Sequence, residues 1–290
     1  MPAHRTPYPF LKGHGTENDF VLLPDHDGTV HGDLDPARVR ALCDRRAGIG
    51  GDGVLRVVRT AALDGGVAGP GSPAPEGSPE WFMDYRNADG SVSEMCGNGI
   101  RVFARHLVEE GLADPARPLP VATRDGVKTI RLEGDLVAVD MGPPALLGHT
   151  EVTVGATRWP ARHVDMGNPH AVAFVDDLAP TGPVGALREA PGHDPAVYPA
   201  GVNVEFVVRR GERHVAMRVH ERGSGETRSC GTGACAVMVA AAEADGLGPA
   251  DGAEYRVDLP GGTLTIAWTP QDRVLMTGPA VVVARGTTAL

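Results

Sequence analysis

The sequence predicts an α+β chain made of two similar halves, and three observations carry that reading. Strand-like runs of alternating or β-branched residues recur between Gly and Pro punctuation: FVLL at 20–23, LVAVDM at 136–141, VNVEFVV at 202–208 and VAMRVH at 215–220. Helical spacing, or all-round apolar character, is confined to three stretches, 36–46, 99–110 and 233–245, and the last two read as buried helices. The third observation is an internal repeat. YRNADGSVSEMCGNGIRVFA at 85–104 lies over VHERGSGETRSCGTGACAVM at 219–238, with Cys96 on Cys230, Gly-x-Gly on Gly-x-Gly and Asn87 on Glu221, at an offset of 134 residues.

A second pair supports the duplication. GTENDFVLL around Asn18 resembles MGNPHAVAFV around Asn168, at an offset near 150. Two halves related by a pseudo-twofold are therefore expected, meeting near the turn Gly142, Pro143, Pro144, with residues 1–141 and 142–279 on its two sides. Between the strands, 48–53 (GIGGDG) satisfies GxGxxG. It follows a helix rather than a strand and lacks the rest of a βαβ unit, so it reads as a turn and not as a nucleotide site. The stretch 64–80 is rich in Gly, Pro and Ser with little to bury, and is expected to be a solvent loop between two strands.

Composition narrows the function. The 290 residues include 27 Lys+Arg against 37 Asp+Glu, a formal charge of -10, with 42% hydrophobic residues. That is enough chain for a sizeable core. A net acidic protein gains nothing from counterion release on nucleic acid or an anionic membrane, so a small-molecule partner is expected, with no nucleic acid and no membrane. The longest apolar run, 234–242, is nine residues and Ala-rich, against the roughly 20 a bilayer span needs. The opening MPAHRTPYPF has no basic region followed by an apolar stretch, which leaves secretion unsupported and the cytosol expected. Cys43, Cys96, Cys230 and Cys235 are too few and too unevenly spaced for a disulfide framework and are expected to be thiols. No HExxH, paired Cys/His set or Walker sequence supports a metal or a nucleoside triphosphate.

Each repeat copy has the form strand, Gly-rich turn, Cys-Gly-x-Gly, helix, which puts a cysteine at a helix N-terminus. There the amides of Gly97, Asn98 and Gly99, or of Gly231, Thr232 and Gly233, point outward, suit a carboxylate, and are expected to lower a thiol's pKa below about 8.5. Two such cysteines placed by a duplication suggest a thiol on each side of one bound carbon. Inverting a stereocentre by deprotonation on one face and reprotonation on the other needs that arrangement, one thiolate and one thiol. An amino acid α-proton is very weakly acidic, and pyridoxal phosphate would help only through a lysine. The only lysines are Lys12 and Lys128, outside both motifs, so a cofactor-free reaction is favoured, with the helix N-termini stabilising the carbanion-like transition state. Cys43 and Cys235 fall inside helical stretches and read as core residues.

These residues resemble a known family. GHGTENDF (13–20), RRAGIGGDG (45–53), YRNADGSVSEMCGNG (85–99), MGNPHAV (166–172), GVNVEF (201–206), ERGSGETRSCGTGAC (221–235) and VDLPGG (257–262) are similar, in order along nearly the whole chain, to diaminopimelate epimerase. The resemblance implies two pseudo-symmetric domains, each of antiparallel strands wrapped around a central helix, with 280–290 packed back on the first half. It implies a PLP-independent epimerase that interconverts LL- and meso-diaminopimelate, and a homodimer. Cys96 and Cys230 become the base and acid; the amides of Gly97, Asn98, Gly231 and Thr232 hold the reacting carboxylate. Asn18, Asn87, Asn168, Asn203 and Arg222 fix the substrate, Arg222 being suited to a bidentate grip on the distal carboxylate. His170 and Glu221 tune the thiols, and Glu221 also receives the substrate ammonium. A racemase of the same fold acting on another amino acid, in the manner of proline racemase, is the alternative; it would have no second carboxylate for Arg222.

Overall fold

The structure, a computed structural model, describes residues 6–63 and 79–290. Two compact units divide the chain: Met1–Val139 with Pro279–Leu290, and Asp140–Gly278.

The first unit contains β1 (Tyr8–Gly15), β2 (Asn18–Pro24), α1 (Pro36–Cys43), β3 (Gly53–Arg59), β4 (Trp81–Asn87), α2 (Gly97–Glu109), β5 (Leu119–Thr123), β6 (Gly126–Glu133), β7 (Leu136–Gly142) and, from the chain's end, β18 (Val281–Thr288). They pair in the order β18-β1-β2-β3-β4-β5-β6-β7. All pairings are antiparallel except β2–β3 and β4–β5. Parallel neighbours need a crossover, and helices supply both: α1 between β2 and β3, α2 between β4 and β5.

The second unit repeats the plan with β8 (Ala145–Val154), β9 (Thr157–Asp165), β10 (Pro169–Phe174), β11 (Gly192–His193), β12 (Asn203–Gly211), β13 (His214–Glu221), β14 (Gly225–Thr227), α3 (Gly231–Ala244), β15 (Ala253–Leu259), β16 (Gly262–Trp268) and β17 (Val274–Pro279). Its sheet order is β8-β9-β10-β12-β13-β15-β16-β17, and again only two pairings, β10–β12 and β13–β15, are parallel. Strand for strand, β18 corresponds to β8 and β1 to β9. The α+β class therefore holds, the mostly antiparallel strands being interrupted at the same two places in each unit.

The repeat is carried by register as well as by order. Phe20 pairs with Gly53 where His170 pairs with Asn203, an offset of 150 in both strands. Beyond β3 the offset falls to 134, because β12 and β13 are joined by a tight turn and β3 and β4 by residues 60–80. Of the expected loop at 64–80, residues 64–78 lie outside the described residues. At its described end, the Thr60 hydroxyl donates to the Pro79 carbonyl at 2.6 Å.

Each central helix is buried by the strands around it. α2 packs against β1, β2, β3, β4, β6 and β18, and inserts Ile100, Val102, Phe103 and Leu107, all fully buried. Burying one such side chain contributes about 1.5–3 kcal/mol. α3 is buried from Ala234 to Ala242, which explains a sequence of small and β-branched residues with no polar face. Both helices begin two residues earlier than their apolar patterns suggest, since the glycines after each cysteine already have helical geometry. α1 ends at Cys43 rather than at 46. Asp44 leaves the helical region, and its carboxylate accepts from the Arg46 and Ala47 amides at 2.7 and 2.8 Å. The amides of Ile49 and Gly50 then return to the Leu42 carbonyl, so the GxGxxG match is a helix-terminating turn. Among the described residues no helix is long and apolar enough to cross a membrane.

Candidate active site

The first half-site is built where β4 hands over to α2. Cys96 is the N-cap of α2, and its sulfur accepts from the Gly99 amide at 3.4 Å. The Ile100 amide is taken by the Cys96 carbonyl, which leaves the amides of Gly97 and Asn98 directed along the axis from the first turn. Asn18 opens β2 beside them: its Oδ1 is 3.7 Å from the Cys96 sulfur and accepts from Asn98 Nδ2 at 3.1 Å. Its own amide donates to Asp52 at 2.7 Å. What aims Asn18 is a two-residue turn with Thr16 and Glu17 both at positive φ, 50° and 61°. A β-branched residue there is strained. Buried Arg101 holds it, donating to the Thr16 hydroxyl at 3.2 Å and to Asn98 Oδ1 at 2.6 Å. Asn87 closes β4, its amide donating to the Ser91 hydroxyl at 3.0 Å. The turn it starts needs Gly90 at φ +88°, where a Cβ would fall 2.7 Å from Pro36 Cα.

The second half-site repeats this at the start of α3. Cys230 is the N-cap, and its sulfur accepts from the Gly233 amide at 3.4 Å, with the Thr232 hydroxyl 3.6 Å away. Glu221, at the end of β13, accepts from the Thr227 hydroxyl and interacts electrostatically with the Cys230 thiol. Burial raises the Glu221 carboxyl above its ordinary value. Asn203 accepts the Arg222 backbone N–H at 2.9 Å, and the exposed Arg222 guanidinium reaches the Ala200 carbonyl at 3.3 Å. His170 is wholly buried, with Nδ1 2.6 Å from Glu205 Oε1 and Nε2 3.0 Å from Asn168 Oδ1.

Two expectations change. A helix N-terminus was expected to lower both thiols. Cys230 is instead pushed well above the ordinary thiol range, first by burial and then by the carboxylates of Glu221 and Glu205, which outweigh the Gly233 amide. Lys12 is also nearer the first half-site than its place outside the motifs suggests: it is ion-paired to Asp19, next to Asn18, and donates to the Gly50 carbonyl. Cys43 is buried and pushed up to about 11 by that burial, as suits a core residue. Glu205 was not singled out by sequence. In VNVEFVV it sits at an alternating position of a strand, and no local pattern sets it apart.

Comparison with known proteins identifies the family. The family model described as diaminopimelate epimerase matches residues 10–147 and 162–283. The chain belongs to the diaminopimelate epimerase family. Relatives called diaminopimelate epimerase include that of Streptomyces coelicolor, 61% identical over 96% of this chain and 94% of the relative, and that of Rhodococcus jostii, 48% identical over 96% of both. Among solved structures, a phenazine biosynthesis protein of the PhzF family from Bacillus anthracis superposes with a TM-score of 0.69 at 14% identity, covering 98% of this chain and 99% of that one. A hydroxyproline epimerase from Agrobacterium vitis gives 0.62 at 14%, covering 98% and 93%. These two likenesses concern the fold.

Proposed function

We propose that the protein interconverts LL- and meso-2,6-diaminopimelate by two-base proton transfer, without PLP or any other cofactor. The observation that carries this reading is the pair of cysteines, each capping the central helix of its unit in a member of the diaminopimelate epimerase family. In the proposed reaction one cysteine, as thiolate, removes the α-proton. The C–H electron pair moves into the adjoining carboxylate to give a planar, enediolate-like species, and the opposite thiol delivers its proton to the other face. The amides of Gly97, Asn98, Gly231 and Thr232 receive the negative charge as it develops, which is electrostatic stabilisation by donors already in place.

The distal end would be held by Asn18, Asn87, Asn168, Asn203 and Arg222. The partly satisfied, exposed guanidinium of Arg222 supports a carboxylate partner. Glu221 would receive the substrate ammonium beside Cys230, and His170 would tune the thiols from its buried place. In this reading residues 1–141 with 280–290 form the half that carries Cys96 and residues 142–279 the half that carries Cys230. A homodimer in the cytosol completes it, on family resemblance and on the sequence reading.

The test is turnover of LL-diaminopimelate under reducing conditions, with the stereoisomers separated chromatographically beside a panel of other amino acids that includes proline. Formation of meso-diaminopimelate with no comparable racemisation elsewhere is expected. Racemisation of a monocarboxylic amino acid without diaminopimelate turnover would move the assignment to a racemase of the same fold.

A further inference from the structure

Asp52 lies in the GIGGDG turn that leads from α1 into β3, and it carries more contacts than a turn requires. Its backbone ties two neighbours together: the Asp52 amide donates to the Asp19 carbonyl at 2.7 Å, and the Asp52 carbonyl accepts from the Ala88 amide at 3.1 Å. Asp52 thus stands between Asn18 at the start of β2 and Asn87 at the end of β4. The next residue, Gly53, pairs with Phe20 on one side and with Asn87 on the other. The side chain does more. Oδ2 accepts from Asn18 Nδ2 at 2.7 Å and from the Asp19 amide at 3.2 Å, and Oδ1 accepts from Arg45 at 2.6 Å. Arg45 also grips both carboxylate oxygens of Asp19, at 2.7 and 2.9 Å, and Lys12 pairs with that same carboxylate.

The fold does not ask for an acid at this place. At the register offset of 150, Val202 holds the equivalent position ahead of β12 in the second unit. What the carboxylate adds is direction. A side-chain amide has a donor end and an acceptor end of similar size, whereas a carboxylate offers acceptors only. Asp52 therefore takes the NH2 of Asn18 and turns Oδ1 the other way, toward Asn98 Nδ2 at 3.1 Å and the Cys96 sulfur at 3.7 Å. We propose that Asp52 is a positioning residue of the first half-site: held by Arg45, it locks the Asn18 amide in one orientation and presents an acceptor oxygen to the substrate. A carbonyl oxygen has two lone pairs, so one remains when Asn98 has taken the other. That oxygen suits an N–H donor of the substrate, an ammonium, and not a carboxylate. The role rests on the reading that Asn18 touches the substrate.

The experiment has two arms. In the first, exchange of the Asn18 side-chain amide protons with water is measured by NMR saturation transfer on reduced, substrate-free protein, the signals being assigned by their loss in Asn18→Asp. Exchange is expected to quicken at least about tenfold in Asp52→Ala, as the bond to a charged acceptor is lost. An unchanged rate overturns the proposal. The second arm reads kcat/KM for diaminopimelate. Asn18→Asp alone sets two carboxylates face to face and is expected to lower kcat/KM about 100-fold. Adding Asp52→Asn puts a donor opposite the new acid, keeps an oxygen for Arg45 and keeps an acceptor beside Cys96, so the double variant is expected to recover at least about tenfold. A double variant no faster than Asn18→Asp overturns the proposal, whatever its melting temperature. The arms use different variants, so a failure of one variant to fold leaves the other arm to decide. The first arm uses no diaminopimelate: if the unmutated protein leaves that substrate unchanged, the proposed function falls, and the exchange rates still decide how Asp52 orients Asn18.

Discussion

Cys96 and Cys230 each close the first turn of the helix they begin, the sulfur accepting from the amide three residues on, Gly99 or Gly233, at 3.4 Å in both cases. A cysteine in this place is a poor cap compared with Ser or Asp. It gives up helix stability for a thiol beside two axially directed amides. That exchange makes sense where the sulfur handles a proton next to a carboxylate, and the duplicated sheet explains why it occurs twice.

Gly233→Ala should damage the second half-site more than Gly99→Ala damages the first. The new methyl would press on the Glu205 carboxylate and the Cys230 sulfur, whereas at Gly99 it meets a leucine methyl and the Cys96 Cβ, at 3.2 and 3.4 Å. Overpacking of this kind costs about 1–3 kcal/mol. Thermal melts and steady-state rates of the two variants check it; equal losses in both would contradict the comparison.

Arg222→Lys keeps the charge and removes the planar fork. If the guanidinium grips the distal carboxylate, KM for diaminopimelate should rise roughly tenfold or more, with kcat changed much less and the melting temperature nearly unmoved, since the exposed guanidinium has, among the described residues, one hydrogen bond, to the Ala200 carbonyl. An unchanged KM would remove Arg222 from the substrate.

Stability should decline on both sides of neutrality for separate reasons. Burial depresses His106 from 6.5 to about 4, and both ring nitrogens are buried without hydrogen-bond partners among the described residues. Its folded value lies below the unfolded one, so the stability it carries is whole above pH 6.5 and drains as pH falls toward 4, by something on the order of 2 kcal/mol. On the alkaline side burial lifts Cys43 from 9.0 to about 11, so stability is whole below pH 9 and is lost as pH rises toward 11. Urea titrations across pH should show both limbs, with His106→Leu flattening the acid one and Cys43→Ala part of the alkaline one. Limbs identical to those of the unmutated protein would contradict the assignment.

Much of this candidate site was legible before the fold was known, and the reasons are local. Cys96 and Cys230 stood out because a Cys-Gly-x-Gly after a strand can only start a helix, and because the flanks repeat at a fixed offset. Asn87 and Glu221 followed from the same alignment, each at the end of its strand. Glu205 did not. A glutamate at an alternating position of a strand reads as a solvent-facing residue, and only the parallel pairing of β12 with β10, across some thirty residues of chain, puts His170 against it. Arg101 was hidden in the same way, its guanidinium directed at a turn far away in sequence. Pairings made through a crossover are set by the sheet as a whole, and no local period announces them. The early end of α1 depends on Asp44 bonding to its own following amides, a local competition that apolar spacing does not register.

The central claim is that two thiols work on opposite faces of one carbon, and proton isotope content at early reaction times tests it most directly. LL-diaminopimelate would be incubated in D2O with the reduced protein and with Cys96→Ser and Cys230→Ser, and followed by proton NMR. The account predicts deuterium at the α-carbon of the meso product while recovered LL substrate keeps its proton, because the base that removes hydrogen is not the acid that returns it. Both variants should be slowed by at least about 100-fold. Deuterium appearing as fast in recovered substrate as in product, or full activity in either variant, would contradict it.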